Sequence, residues 1–289
     1  MIEKILWATD GSKDSLEALR YVELFARRLN AGVVSLCVIP DYPEVVEGFS
    51  SEEKERFEDW IKGVRETEEK RLKDIEGEMR AKGISFKIIV STGIPDKEIL
   101  EVSDREKVGL IALGRGRAKA GQTLGSTSLK VIRGSKCPVL TVGKAKDKLD
   151  IRKILVPMDL SHHKHKNLEF ALWLSKKFKA VVYVLNVVEV GEYRFPPEIT
   201  EGMKLYSQKS ILENLGRAKL SGEADIKAHV EVARNAYTGI VNFSAAEDID
   251  LIVITTYGGR KFKNDFIGSV TERVVQESPC PVITLNPVV

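Results

Sequence analysis

Short apolar runs rich in β-branched residues alternate along the chain with longer stretches whose apolar residues recur at helical spacing. Runs of the first kind read as buried strands and stretches of the second as amphipathic helices. Residues 5–8 form a predicted first strand, and Ser12-Lys13-Asp14-Ser15 opens a helix that Asn30-Ala31-Gly32 closes. Strands at 33–39, 84–90, 108–113 and 139–142 follow, with helices from Pro95 to Asp104 and from Ser126. Between the second and third strands, residues 44–82 are dense in charge but carry a stripe of Phe57, Trp60, Ile61, Val64, Leu72, Ile75 and Met79. That stretch predicts one long helix or two, with a solvated outer face. The second half repeats the order, with strands near 154–156, 181–187, 228–232, 251–254 and 282–285. Strands alternating with helices imply an α/β fold: two doubly wound, Rossmann-like parallel sheets of five strands each, covered on both faces.

The two halves are copies. Lys4-Ile5-Leu6-Trp7-Ala8-Thr9-Asp10-Gly11-Ser12 returns as Lys153-Ile154-Leu155-Val156-Pro157-Met158-Asp159-Leu160-Ser161. Gly125-Ser126 and Cys137-Pro138-Val139 return as Gly268-Ser269 and Cys280-Pro281-Val282, both pairs at the same offset. A charged linker at 144–150 separates the copies, so the expected domains are 1–145 and 151–289.

Composition narrows the function classes. With 45 basic and 42 acidic residues among 289, the formal charge of +3 supplies no global field for nucleic acid or an anionic membrane. No apolar run approaches the ~20 residues of a membrane span, and the start of the chain leads directly into a strand; a cytoplasmic protein is expected. Cys37, Cys137 and Cys280 are odd in number and sit in or beside strand-like runs, as buried structural thiols would.

Ligands of doubly wound sheets bind beyond the carboxyl ends of the strands. Asp10 and Asp159 stand there, each two residues before a serine, Ser12 or Ser161. Such an aspartate can accept from a ribose hydroxyl or an exocyclic amine, or ligate magnesium; alternatively, Asp or Ser simply caps the next helix. Glycine-punctuated loops follow both fourth strands, Gly114-Arg115-Gly116 through Gly125-Ser126-Thr127 and Thr255 through Gly258 to Gly268-Ser269-Val270. Bare amides, a helix N-terminus and the absence of Cβ atoms make an anion cradle. Ser269-Val270-Thr271-Glu272 has the form of a capping box. Arg115, Arg117, Lys119, Arg260, Lys261 and Lys263 add positive charge. His162, His163 and His165 lack partners at recognised metal spacing, and no motif of nucleophilic catalysis is present.

These features together resemble the universal stress protein family in its tandem form. The resemblance rests on the strand-one aspartate of each copy, the loop ending in Gly-Ser, and the run Ser135-Lys136-Cys137-Pro138-Val139 with its counterpart Ser278-Pro279-Cys280-Pro281-Val282. It implies an adenine nucleotide alpha-hydrolase-like fold. It also implies binding of ATP or another adenine nucleotide, with or without Mg, in members that carry G-x2-G-x9-G-[ST]. Copy two keeps the long spacing with Thr255 in place of the first glycine, and Asp159 and Val187 match base-flanking positions. Copy one keeps three glycines in a loop two residues shorter, with Asp10 and Ile39 at the base. Copy two is favoured as the site. The resemblance implies a stress-response regulatory protein with an unknown protein partner, and weak ATP hydrolysis at most. The alternative is a structural or interaction module of the same fold that binds no nucleotide. Residues 139–142 and 282–285 are expected to pair as an intramolecular pseudo-dimer, with a homodimer of the whole chain left open.

Overall fold

The first half comprises β1 (Lys4–Thr9), α1 (Lys13–Leu29), β2 (Gly32–Pro40), α2 (Pro43–Val46), α3 (Ser51–Ala81), β3 (Phe86–Gly93), α4 (Pro95–Glu106), β4 (Leu110–Gly114), α5 (Ser126–Gly134) and β5 (Val139–Val142). The second comprises β6 (Lys153–Pro157), α6 (Lys166–Phe178), β7 (Val181–Glu189), α7 (Pro197–Arg217), β8 (Ile226–Ala233), α8 (Ala236–Ala246), β9 (Leu251–Thr255), α9 (Ser269–Glu277) and β10 (Val282–Leu285). The structure is a computed structural model and describes residues 2–116, 125–143, 146, 149–160, 166–217, 225–256 and 267–286.

Each half is a parallel sheet whose strands send alternate side chains to opposite faces. Ile5 and Trp7 of β1 join a core with Phe25 and Leu72, whereas Leu6 and Ala8 join another with Ile99 and Val131. Helices therefore cover both faces. Ser12 caps α1, accepting from the Ser15 amide at 3.3 Å, and Asn30 ends it in the left-handed conformation.

The halves fuse into one ten-stranded sheet, in the order β3-β2-β1-β4-β5-β10-β9-β6-β7-β8. Among the described residues its one antiparallel pairing is the junction, where Leu140 faces Ile283. The junction's polar contacts mirror each other: the Thr141 hydroxyl donates to the Val282 carbonyl at 3.2 Å, and the Thr284 hydroxyl to the Val139 carbonyl at 3.3 Å. On one face Phe25 of α1 meets Phe178 of α6 with ring centroids 5.1 Å apart. Lys146, in the linker, donates to Asp250 at 2.9 Å, and the other oxygen of Asp250 takes the Arg152 and Lys153 amides. The Ser-x-Cys-Pro run is part of this frame: the Ser135 hydroxyl donates to the Cys137 carbonyl, and the Ser278 hydroxyl to that of Cys280, turning the chain into β5 and β10.

Two expectations shift. Residues 44–82 become two helices, one of a single turn and one of 31 residues, and of the stripe's residues only Leu72 and Met79 are fully buried. The third strand begins at Phe86 and runs to Gly93, since Ile84 is spent in the turn after α3.

Candidate functional site

A cavity opens in each half at the carboxyl ends of the strands, where β1 and β4, or β6 and β9, carry the chain to opposite sides. This is the switch in strand order at which such sheets bind ligands. The cavity in the first half holds about 590 Å³ and that in the second about 360 Å³. Both lie within the ~300–1,000 Å³ usual for small-molecule sites.

In the first half every predicted residue lines the cavity: Asp10, Ser12 and Ile39 on one side, and Gly114, Gly116, Gly125, Ser126 and Thr127 on the other. Gly11 takes a left-handed φ of 73°, which lets the Asp10 carboxylate accept the Ser12 amide at 3.0 Å. Burial acts to raise the Asp10 pKa, but hydrogen bonds from Ser12 and Ser15 outweigh it and hold the carboxyl below its ordinary value. Asp10 is thus an anionic acceptor at neutral pH. Opposite it, Gly116, also left-handed at 76°, sits against Gly125, where a Cβ on either residue would come within 3.2 Å of the other's Cα. Gly125 is the N-cap of α5 and makes no side-chain cap bond. Among the described residues no side chain caps the first amides of α5, which border the cavity.

The first glycine of the loop has a different task. A Cβ on Gly114 would lie 2.7 Å from the Asp14 carbonyl carbon and 2.8 Å from the Ser15 nitrogen, so Gly114 makes room for the first turn of α1. In the second half Thr255 stands at the matching place, and residues 161–165, between β6 and α6, lie outside the described residues. The carbonyl at both positions is held alike, by the Ser128 hydroxyl at 3.0 Å and by the Thr271 hydroxyl at 2.8 Å.

The second cavity gathers Asp159, Val187, Thr255, Gly268, Ser269 and Val270. Ser269 does not open a capping box: Gly268 is the N-cap of α9, without a side-chain cap bond, and the Thr271 hydroxyl is turned to β9. The two helices facing the cavities thus both start from a glycine N-cap. Ser161, Gly258, the histidines at 162, 163 and 165, and the basic residues Arg117, Lys119, Arg260, Lys261 and Lys263 lie outside the described residues.

Arg115 corrects a further expectation. Its guanidinium leaves the cavity, donating to the Gln276 carbonyl at 2.7 Å and the Ser278 carbonyl at 2.9 Å, at the C-terminal end of α9 in the other half. A cation there complements the helix dipole. Gly143 leaves it space, since a Cβ at that position would come within 2.9 Å of the guanidinium carbon.

Among the lining residues that sequence reasoning did not single out are Cys37 of β2, and Trp60, Val64 and Glu68 of α3. Burial, and next the neighbouring Glu68 carboxylate, push the Cys37 thiol up to about 12, and burial pushes Cys280 up to about 11. Neither forms thiolate near neutrality. With Ellman's reagent at pH 8, folded protein is expected to expose no thiol but the half-buried Cys137, and all three in denaturant. Labelling of Cys37 in folded protein within minutes would contradict this environment.

A family model described as the universal stress protein family matches residues 1–143 and, a second time, residues 150–286. The universal stress proteins MJ0531 and MJ0577 of Methanocaldococcus jannaschii are each 31% identical to the chain, over 142 and 162 residues. These alignments cover 47% and 49% of this chain and 82% and 95% of the two relatives. The crystal structure of a universal stress protein from Archaeoglobus fulgidus matches the fold over 99% of both chains, with a TM-score of 0.74 at 24% identity.

Proposed function

The chain belongs to the universal stress protein family, and from that premise we propose that it is a regulatory protein that binds an adenine nucleotide such as ATP, with the first half as its principal site. The observation that carries this reading is the polarity of the larger cavity. One end holds the uncapped start of α5 behind the Gly116–Gly125 contact, and the other holds the ionised Asp10. Phosphates belong at the first end, where amides and the positive end of the helix dipole meet them. Asp10 repels phosphate and accepts hydrogen bonds, which suits the hydroxyls of a ribose. Val38 and Ile39 offer apolar wall between the two ends. A magnesium ion would enter on the phosphates, because it dehydrates reluctantly and is held largely by phosphate oxygens.

The second cavity is the lesser site in this proposal. It is the smaller of the two. Binding would act on a protein partner through the segments that border the first cavity, by favouring the conformation with higher nucleotide affinity.

The test is calorimetric titration of the full chain with Mg-ATP beside the variant Ser126→Glu. A carboxylate in the first turn suits a helix and opposes a phosphate, so the fold is kept while affinity drops by at least roughly tenfold. Ser269→Glu should have a smaller effect on total binding. Absence of heat at millimolar Mg-ATP, or equal affinity in wild type and Ser126→Glu, would overturn the proposal.

A further inference from the structure

We propose that the α3 stripe Trp60, Val64 and Glu68 is the base-selecting wall of the first cavity, with Glu68 reading an exocyclic amine and Trp60 stacking on the base. The inference rests on the nucleotide reading above and goes beyond it by assigning the recognition of the base to α3, a helix outside the glycine loops.

The three residues are spaced four apart, which sets them one above another on a single helix face, and all three line the cavity. That face is fixed in place. Arg65 staples α3 to the end of β3, with Nη1 donating to the Val90 carbonyl at 2.7 Å and Nη2 to the Thr92 hydroxyl at 3.0 Å. One turn beyond Glu68, Leu72 is fully buried in the core. Glu68 itself is held by Arg71, whose Nε donates to Oε2 at 2.9 Å, and the Cys37 thiol donates to the same oxygen at 3.6 Å. The carboxylate is thereby anchored over β2, across the cavity from the start of α5.

Charge then decides which part of a ligand lies there. Asp10 repels phosphate on the β2 side, where Arg71 pairs the charge of Glu68, so phosphates belong on the α5 side. The group that lies against α3 must be planar, donor-bearing and apolar on its faces, as a purine with an amino group is. Trp60 fits the same group. It is 51% exposed at the cavity mouth, although it stacks on Phe57 at 5.6 Å and Phe57 meets Phe49 edge-on at 6.0 Å. An indole left half in water beside an apolar cavity offers a free face for a base. The second half has no counterpart, since among the described residues none from α7 lines its cavity.

A carboxylate facing the six-position of a purine accepts from the amine of adenine and repels the carbonyl of hypoxanthine. The test is calorimetry of the full chain carrying Ser269→Glu, which silences the second site, with Mg-ATP, Mg-ITP and Mg-dATP, alongside tryptophan fluorescence. ATP should bind at least about tenfold more tightly than ITP, and any preference for ATP over dATP, set by Asp10 at the ribose, should persist in Glu68→Gln. Glu68→Gln, whose amide can donate as well as accept, should bring the ATP-to-ITP ratio to within about threefold. Trp60→Ala, a change at a half-exposed site, should weaken ATP by roughly tenfold and remove the fluorescence change on binding. An unchanged ATP-to-ITP ratio in Glu68→Gln, together with unchanged affinity in Trp60→Ala, would overturn the wall while ATP binding itself persisted. A preference for ATP over dATP that vanishes in Glu68→Gln would give Glu68 to the ribose and overturn the amine assignment. If the parent binds none of the three, the nucleotide reading falls and the wall with it.

Discussion

Ile283→Lys is expected to abolish cooperative folding of the chain or to lower its stability by about 4 kcal/mol or more, since an uncompensated buried charge costs several kcal/mol. Ile283 is wholly buried opposite Leu140 at the only antiparallel pairing among the described residues. Ile283 belongs to the apolar core that holds Leu140, Phe25 and Phe178, so among the described residues an ammonium group there meets an apolar surrounding. A domain has about 5–15 kcal/mol in all, so a loss of this size is close to complete. Ile283→Val keeps the apolar shape and should cost only about 1 kcal/mol. Urea unfolding followed by circular dichroism checks both values, and light scattering reports whether the opened edge of β5 recruits a second chain. A lysine variant that unfolds at the wild-type midpoint would mean that the two halves do not depend on this seam.

That seam was partly visible in the sequence, and the reason is physical. Val139-Leu140-Thr141-Val142 and Val282-Ile283-Thr284-Leu285 are apolar on both faces, as a strand buried between layers must be, and each ends a repeat with no further strand to cover it. Periodicity likewise marked β1 to β5 and their copies to within a few residues, because sheet strands and helix stripes are written in local spacing. The positions that sequence reasoning missed or misread depend on partners far along the chain. Arg115 looked like one more cation of a phosphate loop, yet its two acceptors belong to the far end of α9. Trp60, Val64 and Glu68 could be placed on one helix face, but not against β2, until the Arg65 staple to β3 was known. Ser269-Val270-Thr271-Glu272 has the letters of a capping box, but Thr271 donates to Thr255, and the helix starts without a side-chain cap.

Gly114 is the residue whose reading changed most between sequence and structure, and Gly114→Ala should separate its two roles. As a phosphate-loop glycine it would tolerate alanine at some loss of binding and little loss of stability. As a packing glycine it cannot, because the new Cβ would lie 2.7 Å from the Asp14 carbonyl carbon and 2.8 Å from the Ser15 nitrogen, both backbone atoms. The first turn of α1 would have to move, and overpacking of this kind costs about 1–3 kcal/mol. The displacement would carry with it Ser15, whose hydroxyl bonds to Ser12 and Thr9, and so disturb the turn that fixes Asp10. We therefore expect Gly114→Ala to lower the urea midpoint and to weaken Mg-ATP by more than about tenfold together, since a misplacement of about an ångström is enough for such a loss. The reverse change in the second half, Thr255→Gly, should leave Mg-ATP affinity within about twofold of wild type and cost about 1 kcal/mol or less through strand propensity. If Gly114→Ala were as stable as wild type and only its binding fell, the glycine would be serving the ligand. Equal losses of binding in Gly114→Ala and Thr255→Gly would show that the two positions act alike.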